Sequence, residues 1–85
     1  MTHTVLIKPS ARRELESLPD EMLRRVDRII ASLVTDPRPR GCVKLQGAAD
    51  LFRMRVGDYR VIYRIDDAIR VVEVTRIGHR RDVYR

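Results

Sequence analysis

The sequence predicts an α+β domain of order β-α-α-β-β-β, an antiparallel sheet with a helical hairpin packed on one face. Three observations predict it. An apolar stripe at helical spacing runs from Met22 to Leu33, three period-2 segments lie between Leu51 and Ile77, and Gly57-Asp58 joins the first two of these. Eighty-five residues are too few for two independent cores. Residues 1–85 therefore make a single domain whose elements share one interior.

Thr4 to Lys8 is a short run rich in β-branched residues, and Pro9 ends it, which predicts a first strand. Ser10 then offers an N-cap for a helix from Ala11 to Leu18, with Leu15 and Leu18 on one face. Pro19 suits the first turn of a second helix, where Asp20 and Glu21 complement the N-terminal dipole. Met22, Val26, Ile29, Ile30 and Leu33 form its core-facing stripe, while Arg24, Arg25, Asp27 and Arg28 point toward water. Asp36-Pro37 stops this helix, because a residue before proline avoids the α region. Pro37 to Gly41 is a loop, and Cys42 to Gln46 a short extended piece.

Leu51 to Val56 and Tyr59 to Asp66 flank Gly57-Asp58, whose glycine-first order suits a type II′ hairpin turn. Val56 then opposes Tyr59, Arg55 opposes Arg60, Met54 opposes Val61, Arg53 opposes Ile62 and Phe52 opposes Tyr63. Alternation gathers Phe52, Met54, Val56, Tyr59, Val61, Tyr63 and Ile65 on one side, the seat for the helices. The other side collects Arg53, Arg55, Arg60 and Arg64. With Asp67-Ala68 closing the next hairpin, Ile69 to Ile77 brings Val72 and Val74 to the apolar side and sets Thr75 opposite Arg60.

The net charge is +6, and sixteen of the eighteen basic residues are Arg. Residues 51–85 carry nine basic against five acidic side chains. Arginine presents a flat, permanently charged fork that matches phosphate oxygens, so nucleic acid or an acidic protein is the expected partner. Like charges opposed across a ladder destabilise it, and a face selected only for solubility would mix signs as the second helix does. Three or four guanidiniums on one concavity read as a phosphate site. The plain alternative is a solvated sheet face partly paired to Glu73 and Asp58.

Other classes are excluded. No apolar run approaches the roughly 18 residues that cross a bilayer, and the N-terminus lacks the basic start of a signal peptide, so a cytoplasmic location without a membrane partner is expected. Cys42 alone forms neither an internal disulfide nor a multi-thiolate metal site. In the C-terminal run Ile77 to Arg85, Gly78 allows a sharp bend after the last strand. His79 is a candidate proton carrier or simply an exposed side chain. Tyr84 is a candidate surface for stacking a base, or packs back on the sheet.

These pieces resemble the RelE/ParE toxin superfamily of bacterial and archaeal type II toxin–antitoxin pairs, on its RelE-like branch. The resemblance covers nearly the whole chain: Leu18-Pro19 between the helices, Lys44-Leu45-Gln46-Gly47, the run from Phe52 to Tyr63, and Ile77 to Tyr84. It implies an mRNA endonuclease acting in the ribosomal A site without metal or cofactor. A ribose 2′-oxygen attacks the adjacent phosphate and leaves a 2′,3′-cyclic phosphate and a 5′-hydroxyl. The family's catalytic positions fall on Arg53, Arg55, Arg60, Arg80 and Tyr84, with His79 beside them, and Arg64, Arg81 and Lys44 are expected as further RNA contacts.

The best-known member of the branch has lysines where this chain has Arg53 and Arg55. A guanidinium, with a pKa above about 12, stabilises charge well but is a poor general acid or base. Arg53, Arg55, Arg60 and Arg80 are therefore expected to stabilise the phosphorane, and proton transfer falls to His79 or Tyr84. The implied partners are a cognate antitoxin, acidic or amphipathic, and the ribosome with its mRNA. Within the same superfamily the alternative is a ParE-like toxin that binds DNA gyrase and does no RNA chemistry. Such chains generally lack the full basic set and the terminal tyrosine.

Overall fold

The computed structural model describes residues 2–83. In chain order it contains β1 (Thr4–Ile7), α1 (Pro9–Glu16), α2 (Asp20–Ser32), β2 (Val43–Lys44), β3 (Leu51–Val56), β4 (Tyr59–Asp66) and β5 (Val71–His79). The strands form one sheet of order β1-β5-β4-β3-β2. The α+β class with two helices is as expected, but the sheet is mixed: β1 lies parallel to β5, with Thr4 beside Val71 and Ile7 beside Val74. Parallel neighbours cannot be joined by a tight turn; α1 and α2 carry the chain from β1 at one edge of the sheet to β2 at the other, and β3 and β4 bring it back to β5.

Pro9 and Pro19 act at helix starts. Pro9 opens α1, where its missing N–H would be unpaired in any case, so Ser10 falls inside the first turn and makes no cap bond. Pro19 stands one position outside α2, and Asp20 and Glu21 occupy the first turn as expected. Leu18 is buried in the link between the helices rather than at the end of α1. Val26, Ile30 and Leu33 of α2, with Ala11 and Leu15 of α1, pack against Phe52, Val56, Val61, Tyr63, Val72 and Val74. Arg24, Arg25, Asp27 and Arg28 face water.

The β3–β4 hairpin has the expected register, from Val56 opposite Tyr59 to Phe52 opposite Tyr63. Gly57 takes φ +60° while Asp58 stays out of the left-handed region, as a type II′ turn requires. The β4–β5 connection departs from expectation. Asp66 Oδ1 accepts the N–H groups of Ala68 (3.0 Å) and Ile69 (3.3 Å), an Asx-type turn that widens the link to residues 67–70 and sets Asp66 opposite Val71. A register shift at Ile62/Tyr63 then brings Gly78, not Thr75, opposite Arg60. Thr75 instead donates its hydroxyl to the Ile62 carbonyl (3.2 Å).

Beyond Val74, β5 has outrun β1, and a helix side chain takes over its free edge. Glu14 of α1 accepts the Ile77 N–H (3.0 Å) and the Arg76 Nε (3.3 Å). Among the described residues no helix is long and apolar enough to cross a membrane.

Candidate functional site

Arg53, Arg55, Arg60 and Arg64 project from the sheet face opposite the helices, because their cross-strand partners alternate with the core residues. Their environments differ. Arg55 is exposed and donates from Nε to the Gly57 carbonyl (3.3 Å). Arg53 is half-buried opposite Ile62, and no carboxylate of a described residue pairs with either side chain. Arg60 was expected as an open guanidinium but is only 7% exposed. Its Nη1 donates to the Gly57 (3.4 Å) and Tyr59 (3.1 Å) carbonyls, and its Nε is buried without a partner among the described residues. Arg64 shares the face but is paired to Asp50 (2.9 Å) and Glu73 (3.9 Å), which largely cancels its charge.

What covers Arg60 is legible in the C-terminal turn. Gly78 does not bend the chain; β5 runs through it to His79, and the turn follows, with Asp82 and Val83 both donating to the His79 carbonyl. Val83 is 2% exposed and lies 3.7 Å from where a side chain on Gly78 would begin. Gly78 opposes Arg60, so Val83 rests on the arginine face beside it. Ile62, also on that face, is buried outside the main core. The face is therefore roofed at its Arg60 end and open at Arg53 and Arg55.

Two expected site residues lie elsewhere. His79 opposes Tyr59, so it belongs to the helix side of the sheet, with the two rings edge-to-face at 5.6 Å. Its Nδ1 accepts the Arg81 N–H (3.2 Å), which fixes the neutral ring as the Nε2–H tautomer. Lys44 opposes Phe52 and also sits on the helix side, at the edge strand. Arg80 and Arg81 are exposed in the turn after β5, and Arg80 donates its N–H to the Asp58 carbonyl (2.8 Å), binding that turn to the β3–β4 hairpin. Tyr84 lies outside the described residues.

The opposite end of the sheet holds a second polar group. Arg38 lies over the Phe52 ring (5.2 Å) and donates to Asp67 (2.8 Å), whose other oxygen meets His3 (3.2 Å). Arg38, then His3, hold the Asp67 carboxyl below the usual range. Nearby, the Tyr63 hydroxyl is buried without a well-formed hydrogen bond among the described residues, and burial, reinforced by the Cys42 thiol, pushes its pKa well above that of an ordinary phenol. Among the described residues no three His, Cys, Asp or Glu side chains gather as metal ligands.

Residues 5–84 match a family model described as the ParE toxin of the type II toxin–antitoxin system parDE. The chain belongs to the RelE/ParE toxin family. Within that family it is RelE-like. It is 37% identical over 86 residues to the toxin RelG of Mycobacterium tuberculosis, covering 100% of this chain and 99% of RelG. The toxin RelE of the same organism is 34% identical and covers 95% of this chain, which spans 84% of that protein. The crystal structure of the archaeal RelE–RelB complex from Pyrococcus horikoshii OT3 superposes with a TM-score of 0.84 at 34% identity, over 98% of this chain and 100% of that one. The toxin–antitoxin complex RelBE2 from M. tuberculosis gives 0.81 at 34% identity, over 93% and 99%.

Proposed function

We propose that this RelE-like toxin is an endoribonuclease that cuts mRNA on the ribosome and is silenced by a cognate antitoxin. The observation that carries the reading is the pair Arg53 and Arg55, two guanidiniums without carboxylate partners among the described residues, on the open part of the sheet face. A phosphodiester laid there has two forks to accept its non-bridging oxygens. As the ribose 2′-oxygen attacks phosphorus, the P–O5′ bond breaks, and the negative charge gathering on those oxygens is met by the arginines. Arg60 acts from behind as a positioning residue, holding the hairpin turn on which Arg55 also rests. Arg80, exposed beside that turn, is the further cation at the mouth of the site. Tyr84 is assigned the proton transfer; His79, turned toward Tyr59, is not.

The antitoxin reading rests on the relatives solved as RelE–RelB complexes. A flexible acidic partner would neutralise the same face. The test is to add the purified protein to translating ribosomes and map the ends of the message. Cleavage leaving 2′,3′-cyclic phosphate and 5′-hydroxyl termini is expected, reduced at least about a hundredfold in Arg53→Ala/Arg55→Ala. Intact message together with blocked gyrase supercoiling would replace this reading with the gyrase-binding one.

A further inference from the structure

Where β3 ends, a groove of about 240 Å³ opens between the hairpin turn and α2. Arg25, Arg28 and Ile29 of α2 line one wall, and Arg55, Val56 and Gly57 line the other. All three guanidiniums belong to exposed residues, and none pairs with a carboxylate among the described residues. The nearest acids in sequence, Glu21, Asp27 and Asp58, do not line the groove. Gly57 keeps it open: a side chain there would begin 3.6 Å from the Arg25 Nη1 and 3.3 Å from the Met22 methyl.

We propose that Arg25, Arg28 and Arg55 form a second phosphate grip, which holds the backbone of a single RNA strand as it leaves the arginine face of the sheet. The inference rests on the reading that RNA occupies that face. Arg55 belongs to both places, so one strand passes from the first to the second across a shared guanidinium. Helix α2 keeps Asp27 away from this wall and turns Arg25 and Arg28, three residues apart, onto it. The lining favours nucleic acid over a protein segment. Protein interfaces are anchored by aromatic or large apolar side chains in pockets, whereas here Val56 is buried and only Ile29 offers apolar surface. Three guanidinium forks along one groove suit a chain of phosphates.

The experiment compares the protein with its Arg25→Ala/Arg28→Ala variant. Both positions are exposed in a helix, where alanine is well tolerated, so the thermal midpoint should hold. The probes are 2′-O-methyl RNAs, which lack the attacking hydroxyl, of about three and about ten nucleotides. The long probe should bind the variant at least about tenfold more weakly. Its salt dependence should fall by about 1.4 in log–log slope, for two phosphates lost from a single strand. The short probe, filling only the sheet face, should bind both proteins alike. Unchanged affinity for the long probe would overturn the proposal. So would weakened antitoxin binding with RNA affinity intact, which would make the groove a protein seat. If the unaltered protein binds neither probe, the RNA reading of the sheet face fails, and this proposal with it.

Discussion

Arg55 and Arg60 oppose one another across the β3–β4 ladder, and both donate to the carbonyl oxygen of Gly57, at 3.3 and 3.4 Å. Two like charges so placed cost a few tenths to about 1 kcal/mol. The shared acceptor offsets part of that and draws both guanidiniums toward the turn. Their burial makes their contributions unequal.

Arg55→Ala should change stability by no more than about 0.5 kcal/mol, because the side chain is exposed. Arg60→Ala should cost about 1–3 kcal/mol, through lost bonds to two carbonyls and lost packing under the C-terminal turn. Urea denaturation midpoints of the two variants separate the cases. Equal midpoints would mean that Arg60 is not the structural member of the pair.

Gly57→Ala tests the turn itself. An L side chain at φ +60° costs about 1–2 kcal/mol, and its Cβ would press on the Met22 methyl at 3.3 Å. The expected outcome is a lower denaturation midpoint together with weaker RNA cleavage, since Arg55 and Arg60 are both referenced to the Gly57 carbonyl.

Glu14 separates charge from hydrogen bonding. Glu14→Gln keeps an acceptor for the Ile77 N–H and loses only the ion pair with Arg76, so its cost should stay within about 1 kcal/mol. Glu14→Ala leaves that part-buried N–H without its acceptor and should cost about 1–3 kcal/mol. Amide exchange at Ile77 should quicken in the alanine variant and not in the glutamine one.

Tyr63→Phe removes a buried hydroxyl that lacks a proper partner, so stability at neutral pH should stay level or rise by up to about 1 kcal/mol. The folded pKa of Tyr63 lies above the unfolded value of about 10. Above that pH the unfolded chain releases its phenolic proton first, and stability falls as pH rises, by at most about 1.4 kcal/mol per unit for this group. That alkaline slope should flatten in Tyr63→Phe, as read from denaturation between about pH 9 and 11.

The hairpin was legible because Gly57-Asp58 fixes the register of everything beside it, and strict alternation then assigns each side chain a face. The β4–β5 link was not, because the decisive group is the Asp66 side chain bonding two amides of the turn, which strand periodicity does not report. That miss carried Thr75 to the wrong place. His79 and Lys44 had no face in the sequence, because basic residues near a motif carry none until their strand is paired, and the pairing sets both on the helix side. Arg60 was placed on the correct face, but its burial depends on Val83 folding back over Gly78, a contact between a strand and the turn that follows it. Arg25 and Arg28 looked like ordinary solvated helix charges, and only the docking of α2 beside the hairpin turn brings them to Arg55.

The parallel pairing of β1 with β5 sets an order on biosynthesis. Strand β1 is completed only when β5 has been made, so its sheet edge waits unpaired while residues 8–70 are translated, and contacts this distant along the chain form late. A nascent chain halted before Val71 has no central strand beside β4 and no turn over Arg60. The ribosome making this protein therefore does not meet the completed arginine face until β5 and the turn after it have been translated.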